Sequence, residues 1–326
     1  MPVICVVGSA NTDMVVRVPR LPGRGETVLG GEFVTAGGGK GANQAIAALR
    51  LGAEVCFVAR LGQDAFGDAA LAAYQAEGLR TDLIGRDPEA PSGIALILVE
   101  DGGENQIAVA PGSNARLSVE DVRRARPAIA GSDVLVVQLE VPLEAVRAAL
   151  EVARQAGVRT ILNPAPAPAA PLPDDLYPLV DVLNPNRSEA GALVGAPVVD
   201  ALSAESAARR LLDRGVGGVV VTLGREGALV VASGVARPIP AYPVASVDAT
   251  GAGDAFTAGL AVALARGATL VEAAGYASAV AALATTKVGA RPSLPTAGEV
   301  SCHTLCEKCV SVVTTYTSAP AFWNSA

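Results

Sequence analysis

Between residues 55 and 222 the chain repeats one pattern, a short continuous apolar run followed by a helical stretch. Residues 55–59, 134–138, 159–162, 180–183 and 218–222 read as strands, and 67–77, 143–155, a stretch from 188, and 204–213 read as helices. Strands apolar on every residue are covered on both faces, and parallel neighbours need long crossover connections. The pattern therefore predicts an α/β fold: a doubly wound, mostly parallel sheet with helices on both faces. Residues 3–7 add a further strand at the start, ended by Gly8. With 326 residues there is room for one large domain, or a domain with a small appendage.

Two patches break the alternation. Residues 14–18 and 27–34 read as short strands without helices between them, and 93–99 turns at 100–104 and returns through 105–110 as a hairpin. Together, in the regions 14–37 and 93–110, they are expected to form a small β-sheet lid on a main domain of residues 1–300. Residues 301–326 differ in style, being rich in Ser, Thr and Cys, and are expected to be poorly ordered or non-native.

The composition excludes several classes of function. Hydrophobic residues are 51% and charged residues 17%, as in a packed globular chain. A net charge of −7 argues against nucleic acid as partner. The uncharged stretch 273–286, 14 residues long, is too short to span a membrane, and no signal-peptide pattern is present, so neither membrane nor secretion is expected. Five cysteines form no secreted disulfide framework, which points to the cytoplasm; Cys5 and Cys56 read as small buried hydrophobes. Cys302, Cys306, Cys309 and His303 match no standard zinc spacing. That histidine is the only one, so multi-histidine metal sites are ruled out.

The chemistry concentrates at glycine-rich helix starts. Asp248-Ala249-Thr250-Gly251-Ala252-Gly253-Asp254 follows a run at 243–247 that reads as strand, and opens a helix over 255–265. Unpaired amides at a helix N-terminus form an anion site. An acid beside it is suited to take a proton from a hydroxyl that attacks a bound phosphoryl group. On this stretch alone, Asp254 serves equally well as a helix cap. A second glycine run, Gly37-Gly38-Gly39-Lys40-Gly41-Ala42-Asn43-Gln44, precedes a helix to Leu51 whose N-terminus is expected to face the site, with Lys40 and Asn43 as donors. It is not a Walker loop, since Val34 and Gly41 stand where Gly and Ser or Thr are required. Polar residues cluster at strand ends: Asn11, Asp13, Glu140, Asn163, Asn184 and Asn186, with Glu189 following and Thr222 leading a Gly-rich turn. Each alone suits a turn or cap; together they mark the crevice at the carboxyl edge of a sheet.

GSANTD, GGGKGANQA, APGSNA, QLEVP, NPAPA, PNRSEA, TLGREG and DATGAGDAF make the chain, from Val3 to Pro295, resemble the ribokinase group of PfkB-type carbohydrate kinases. The resemblance implies ATP-dependent phosphorylation of D-ribose at O5. It implies Asp254 as catalytic base, and Gly251, Ala252 and Gly253 as anion hole. Asn11, Asp13, Gly39, Lys40, Gly41, Ala42, Asn43 and Glu140 would form the sugar pocket. Asn186, Thr222, Leu223, Gly224, Arg225, Glu226, Gly227, Gly253 and Ser278 would face ATP. Glu189 would organise Mg2+ through water, and Asp248, Thr250, Ala284, Lys287, Gly289 and Ser293 would hold a monovalent cation such as K+. A homodimer through the lid is expected, since a small exposed sheet needs cover. The chain departs from the group after Pro295, where a final helix is expected to be missing or replaced. Alternatives are a kinase for 2-deoxyribose, fructose, 2-keto-3-deoxygluconate or a nucleoside, or a non-catalytic sugar-binding protein. A dinucleotide fold lacks its glycine fingerprint after the first strand.

Overall fold

The computed structural model describes residues 1–102 and 104–302. In chain order the first half runs β1 (Val3–Val7), β2 (Asn11–Val18), β3 (Phe33–Gly38), α1 (Lys40–Arg50), β4 (Glu54–Gly62), α2 (Ala65–Ala76), β5 (Ile84–Asp87), β6 (Gly93–Glu100) and β7 (Asn105–Ala110). It continues with α3 (Val119–Arg124), α4 (Arg126–Ala130), β8 (Val134–Val137), α5 (Leu143–Ala156), β9 (Arg159–Leu162), β10 (Val182–Leu183), α6 (Arg187–Val194) and α7 (Ala201–Leu212). The last part is β11 (Gly218–Thr222), β12 (Ala228–Ala232), β13 (Val235–Ile239), α8 (Ala252–Ala265), α9 (Leu270–Ala284) and α10 (Ala290–Ser293).

Nine strands form the main sheet in the order β13-β12-β11-β10-β9-β8-β1-β4-β5. All pairs are parallel except those that β12 and β13 make at one edge. Alternate residues of β1 feed two cores. Ile4 and Val6 pack with α1, α8 and α9, while Cys5 and Val7 pack with residues of α3 to α7 on the other face. Cys5 and Cys56 are paired across β1 and β4 as buried free thiols, and burial pushes the Cys5 thiol well above its ordinary range. Helix α5 buries Ala145, Val146, Ala149, Leu150 and Ala153 at helical spacing and ends at Gly157, φ 73°. Helix α8 is buried on almost every side, and Gly259 lets α9 close in: a Cβ there would lie 3.1 Å from the Ala277 Cα.

Strand β1 lies between β8 and β4, and the chain winds away from it in both directions. The carboxyl ends of β1 and β8 therefore flank the switch point where such sheets bind ligands. Ser9 and Glu140 meet there, the Ser9 hydroxyl donating to Glu140 Oε2 at 2.5 Å.

A separate four-stranded sheet has the order β3-β2-β6-β7. By register, Asp13, Val15, Val34, Ile97, Ile107 and Val109 share one of its faces. That face starts at the main sheet and runs outward to Val34, Ile107 and Val109, which are 44%, 56% and 51% exposed.

Three sequence-based expectations need correction. Residues 27–32 are not strand: β3 starts only at Phe33, and Leu29 is almost fully exposed. Gly31 and Glu32 instead fold back on the Arg17 backbone, which interrupts regular pairing. Residues 243–247 are not strand either. Pro240 and Pro243 carry no N–H for a ladder, and the segment is anchored at its end, where the Val247 amide donates to the Thr285 carbonyl at 2.7 Å. Finally, a helix does begin after Pro295. Residues 297–302 are helical, and Thr296 and Glu299 cap them reciprocally. The remainder of the 301–326 stretch, including His303, Cys306 and Cys309, lies outside the described residues.

Candidate active site

The cap of α8 is Gly251 at φ 80°, a left-handed conformation that favours glycine, with no side-chain capping bond. The Ala252 amide turns back to the Ala249 carbonyl. The amides of Gly251, Gly253 and Asp254 make no hydrogen bond within the described residues, and the space beside Gly253 is open. These amides form a donor cluster at the positive end of a 14-residue helix.

Asp254 is the third residue of α8 and does not cap it. Its Oδ2 accepts from Asn43 Nδ2 at 2.9 Å and its Oδ1 from Gln44 Nε2 at 3.0 Å. The residue is 7% exposed. Burial pushes its pKa up; the Lys40 ammonium and the Asn43 and Gln44 amides pull it back only in part. Each oxygen keeps a lone pair for a further partner. Such an acid, buried but still hydrogen-bonded, is a stronger base than a solvated aspartate.

The start of α1 lies against Glu140 and Ser9 but offers no free backbone amides. Its amides are already satisfied: Lys40 N donates to Glu140 Oε2 at 3.0 Å, Gly41 N to Ser9 Oγ, Ala42 N to the Ser9 carbonyl and Asn43 N to the Gly39 carbonyl. The glycines serve close packing instead. A Cβ on Gly41 would stand 2.6 Å from the Ser9 amide. Burial acts to lower the Lys40 pKa, but Asp254, Glu140, Glu189 and Asp13 around it outweigh that, and the net direction is up. Lys40 thus stays charged at the centre of four carboxylates.

Asn11 and Asp13 lie at the start of β2 rather than in a turn. Burial, then the nearby Glu140, push the Asp13 carboxyl up to about 6, against the pull of Arg291 and Lys40. Gly38 makes room for it, since a Cβ there would fall 2.1 Å from Asp13 Oδ1. On the other side of this strand end a Cβ on Gly37 would fall 2.0 Å from Arg291 Nη1.

Asn186 and Glu189 form a capping box at α6, with Asn186 N and Nδ2 donating to the two Glu189 oxygens at 2.8 and 2.9 Å. Burial raises the Glu189 pKa despite the Asn186 bond and Lys40, and Asp254 raises it further, so these residues share one electrostatic site. Thr222 ends β11 beside Asn186, and Leu223, Gly224, Arg225, Glu226 and Gly227 form a tight turn closed by Leu223 N to the Gly227 carbonyl at 2.8 Å. Glu226 pairs with Arg187 at the surface. The Ser278 hydroxyl donates to the Pro240 carbonyl at 3.1 Å, which places α9 against the end of the β12–β13 edge.

Asp248 joins two segments. Its Oδ1 accepts from the Thr250 amide and hydroxyl at 2.9 and 2.6 Å, and its Oδ2 from the Gly289 amide at 2.7 Å. Burial alone would raise its pKa, but these bonds reverse the direction and hold it low. Ala284 and Ser293, on either side of Gly289 in the chain, are fully buried, with the Ser293 hydroxyl turned to the Ala290 carbonyl; Lys287 pairs with Glu299.

A chain of buried amides runs behind the site. Gln138 Nε2 donates to Gln44 Oε1 at 2.6 Å, and Gln44 Nε2 donates to both Asp254 and Asn163. Asn163 leads on to Asn184, which accepts from Thr257 of α8 at 2.9 Å. Gln44, Gln138, Thr257, Asn114 and Arg291 were absent from the expected site. The only signal for the first was its place beside Asn43.

A parallel sheet whose switch point holds a buried carboxylate beside free helix N-terminal amides defines an α/β phosphotransferase. The chain belongs to the pfkB family of carbohydrate kinases, whose pattern it matches over residues 1–297. It is 42% identical to the ribokinase of Haemophilus influenzae, over 91% of this chain and 96% of that one. It is 37% identical to the deoxyribokinase of Salmonella typhi, over 78% and 82%. Its fold matches the structure of Arabidopsis thaliana ribokinase complexed with ribose and ATP, with TM-score 0.84 and 32% identity over 93% and 98%.

Proposed function

We propose that this protein phosphorylates D-ribose at O5 with ATP, giving ribose 5-phosphate and ADP. The observation that carries the reading is Asp254, buried, held at both oxygens, and adjacent to the open amides of α8. Asn11, Asp13, Gly39, Lys40, Gly41, Ala42, Asn43 and Glu140 hold the sugar. Asp254 takes the O5 proton as O5 bonds to the γ-phosphorus and the bond from that phosphorus to the ADP oxygen breaks. The amides of Gly251, Ala252 and Gly253 receive the charge on the transferred group, with Ala252 leaving its contact to Ala249. Fixed donors of this kind need no reorganisation during transfer. Asn186, Thr222, Leu223, Gly224, Arg225, Glu226, Gly227 and Ser278 form the nucleotide side.

Two ions fit the residues present. Glu189 retains lone pairs beyond its capping box and would hold Mg2+ through water, which neutralises phosphate charge. Asp248 draws residues 248–250 against 285–289, so that Asp248, Thr250, Ala284, Lys287, Gly289 and Ser293 would hold K+, mostly through carbonyls; that ion would brace the loop leading into α8. Residues 1–300 act as the kinase domain, with β2, β3, β6 and β7 as its lid. No helix of the described residues is long and apolar enough to cross a membrane, and free buried cysteines suit the cytoplasm.

An ADP-release assay over D-ribose, 2-deoxyribose, fructose, 2-keto-3-deoxygluconate and nucleosides, with and without K+, tests this reading. D-ribose should give the highest kcat/KM, and K+ should raise it. The identity to a deoxyribokinase favours 2-deoxyribose as the second reading, and a reversed order of the two pentoses would establish it.

The exposed face of Val34, Ile107 and Val109 supports a homodimer through the lid. Light scattering at micromolar concentration should give twice the chain mass. Val109→Asp should shift it toward the monomer, because a charge would be buried unpaired at the contact. A monomeric parent protein would refute the dimer.

A further inference from the structure

Asn114 lies in the turn after β7 and is 1% exposed. Its amide orientation is fixed by backbone groups with one possible polarity. The Ala10 N–H donates to Asn114 Oδ1 at 2.9 Å, so Nδ2 is the group that meets the Ala10 carbonyl at 3.1 Å. The same Nδ2 donates to Asn11 Oδ1 at 2.7 Å. A Cβ on Gly93 would lie 2.2 Å from Asn114 Nδ2 and 2.3 Å from Asn11 Oδ1, so only glycine there leaves space for the pair. Asn11 therefore has its carbonyl oxygen engaged, and its NH2 is the group left for a ligand.

We propose that Asn114 is a positioning residue that sets the polarity of Asn11, so that the pocket reads one sugar hydroxyl by donating to its oxygen. Asp13, lacking a donor when ionised, then reads a hydroxyl by accepting from it. The two side chains at the start of β2 impose opposite hydrogen-bond polarity on neighbouring positions of the ligand. This rests on the sugar-kinase reading above.

The test is Asn114→Asp. An ionised carboxylate keeps the bond from the Ala10 amide but cannot donate to Asn11 Oδ1, so the Asn11 amide turns over and offers the sugar an acceptor. Ribose KM is expected to rise about tenfold or more, with kcat and the ATP KM changed by less than about threefold, since a mispaired buried polar group costs about a factor of ten or more. The same measurements with 2-deoxy-D-ribose and 3-deoxy-D-ribose supply the decisive readout. The penalty should collapse toward unity for the one sugar that lacks the hydroxyl read by Asn11. An equal penalty on all three sugars means loosened structure and overturns the proposal, as does an unchanged ribose KM. If the Asn114 variant does not fold, Asn11→Asp decides: it keeps the bond from Asn114 but exchanges the donor for an acceptor. Its ribose KM must rise on the same pattern, and an unchanged KM sinks the idea. A parent enzyme with no turnover of any pentose would instead reject the sugar-kinase reading, a result distinct from these.

Discussion

Asp254→Asn is expected to lower kcat at least about a hundredfold, the usual minimum for loss of a general base, while ribose binding by calorimetry changes little. A hundredfold corresponds to about 2.7 kcal/mol of barrier. The fold should tolerate the change. The new amide's oxygen can still accept from Gln44, and its NH2 faces Asn43, whose Oδ1 is buried without a partner and can turn to accept it. A kcat within about tenfold of the parent would remove Asp254 from its role. The pH profile supplies a second check. Burial pushes the Asp254 pKa up, and the base works only when ionised. Activity should therefore fall on the acid side at a pH above that of an ordinary aspartate, and rise as pH increases through that point.

Asp13→Asn should separate function from stability. An Asp13 carboxylate that accepts from sugar hydroxyls contributes charged hydrogen bonds, so ribose KM should rise by about one to two powers of ten, with kcat less affected. Stability should move the other way. The folded-state pKa is raised from 3.8 to about 6. The group's favourable contribution is then fully present below about pH 4 and is lost as pH rises through about 6, because ionisation is opposed by burial and by Glu140. At pH 8 the variant should melt above the parent, and at pH 4 the two should melt together. A variant that is no more stable at pH 8 would show that the carboxylate is not strained by its surroundings, and an unchanged ribose KM would take Asp13 out of the pocket.

Both results follow from one arrangement. Asp13, Glu140, Glu189 and Asp254 are drawn around a single ammonium, Lys40, which cannot neutralise all four. Charge left over at a buried site is a cost to stability that functional sites commonly carry. The glycines at 37, 38 and 41 belong to the same compromise, since they supply no side chain to pack but leave the volume that Arg291, Asp13 and Ser9 occupy.

The alternation of apolar runs and helices in the sequence determined the parallel sheet, because a strand apolar on every residue must be covered on both faces. It placed Asp254 at a glycine-rich helix start and the polar residues at strand ends, since those positions depend on local turn chemistry and short-range periodicity. Where local signals were ambiguous, as at 27–32 and 243–247, the apolar residues suggested strands that the backbone does not form. Only the tertiary structure decided whether Asp254 caps its helix. The answer lay in Asn43 and Gln44, about 210 residues away along the chain. It likewise closed the α1 amides with Ser9 and Glu140, leaving those of α8 as the open donors. Hydrogen bonds of that separation leave no trace in the spacing of residues, because the partners are chosen by how the sheet folds and not by how the chain is written.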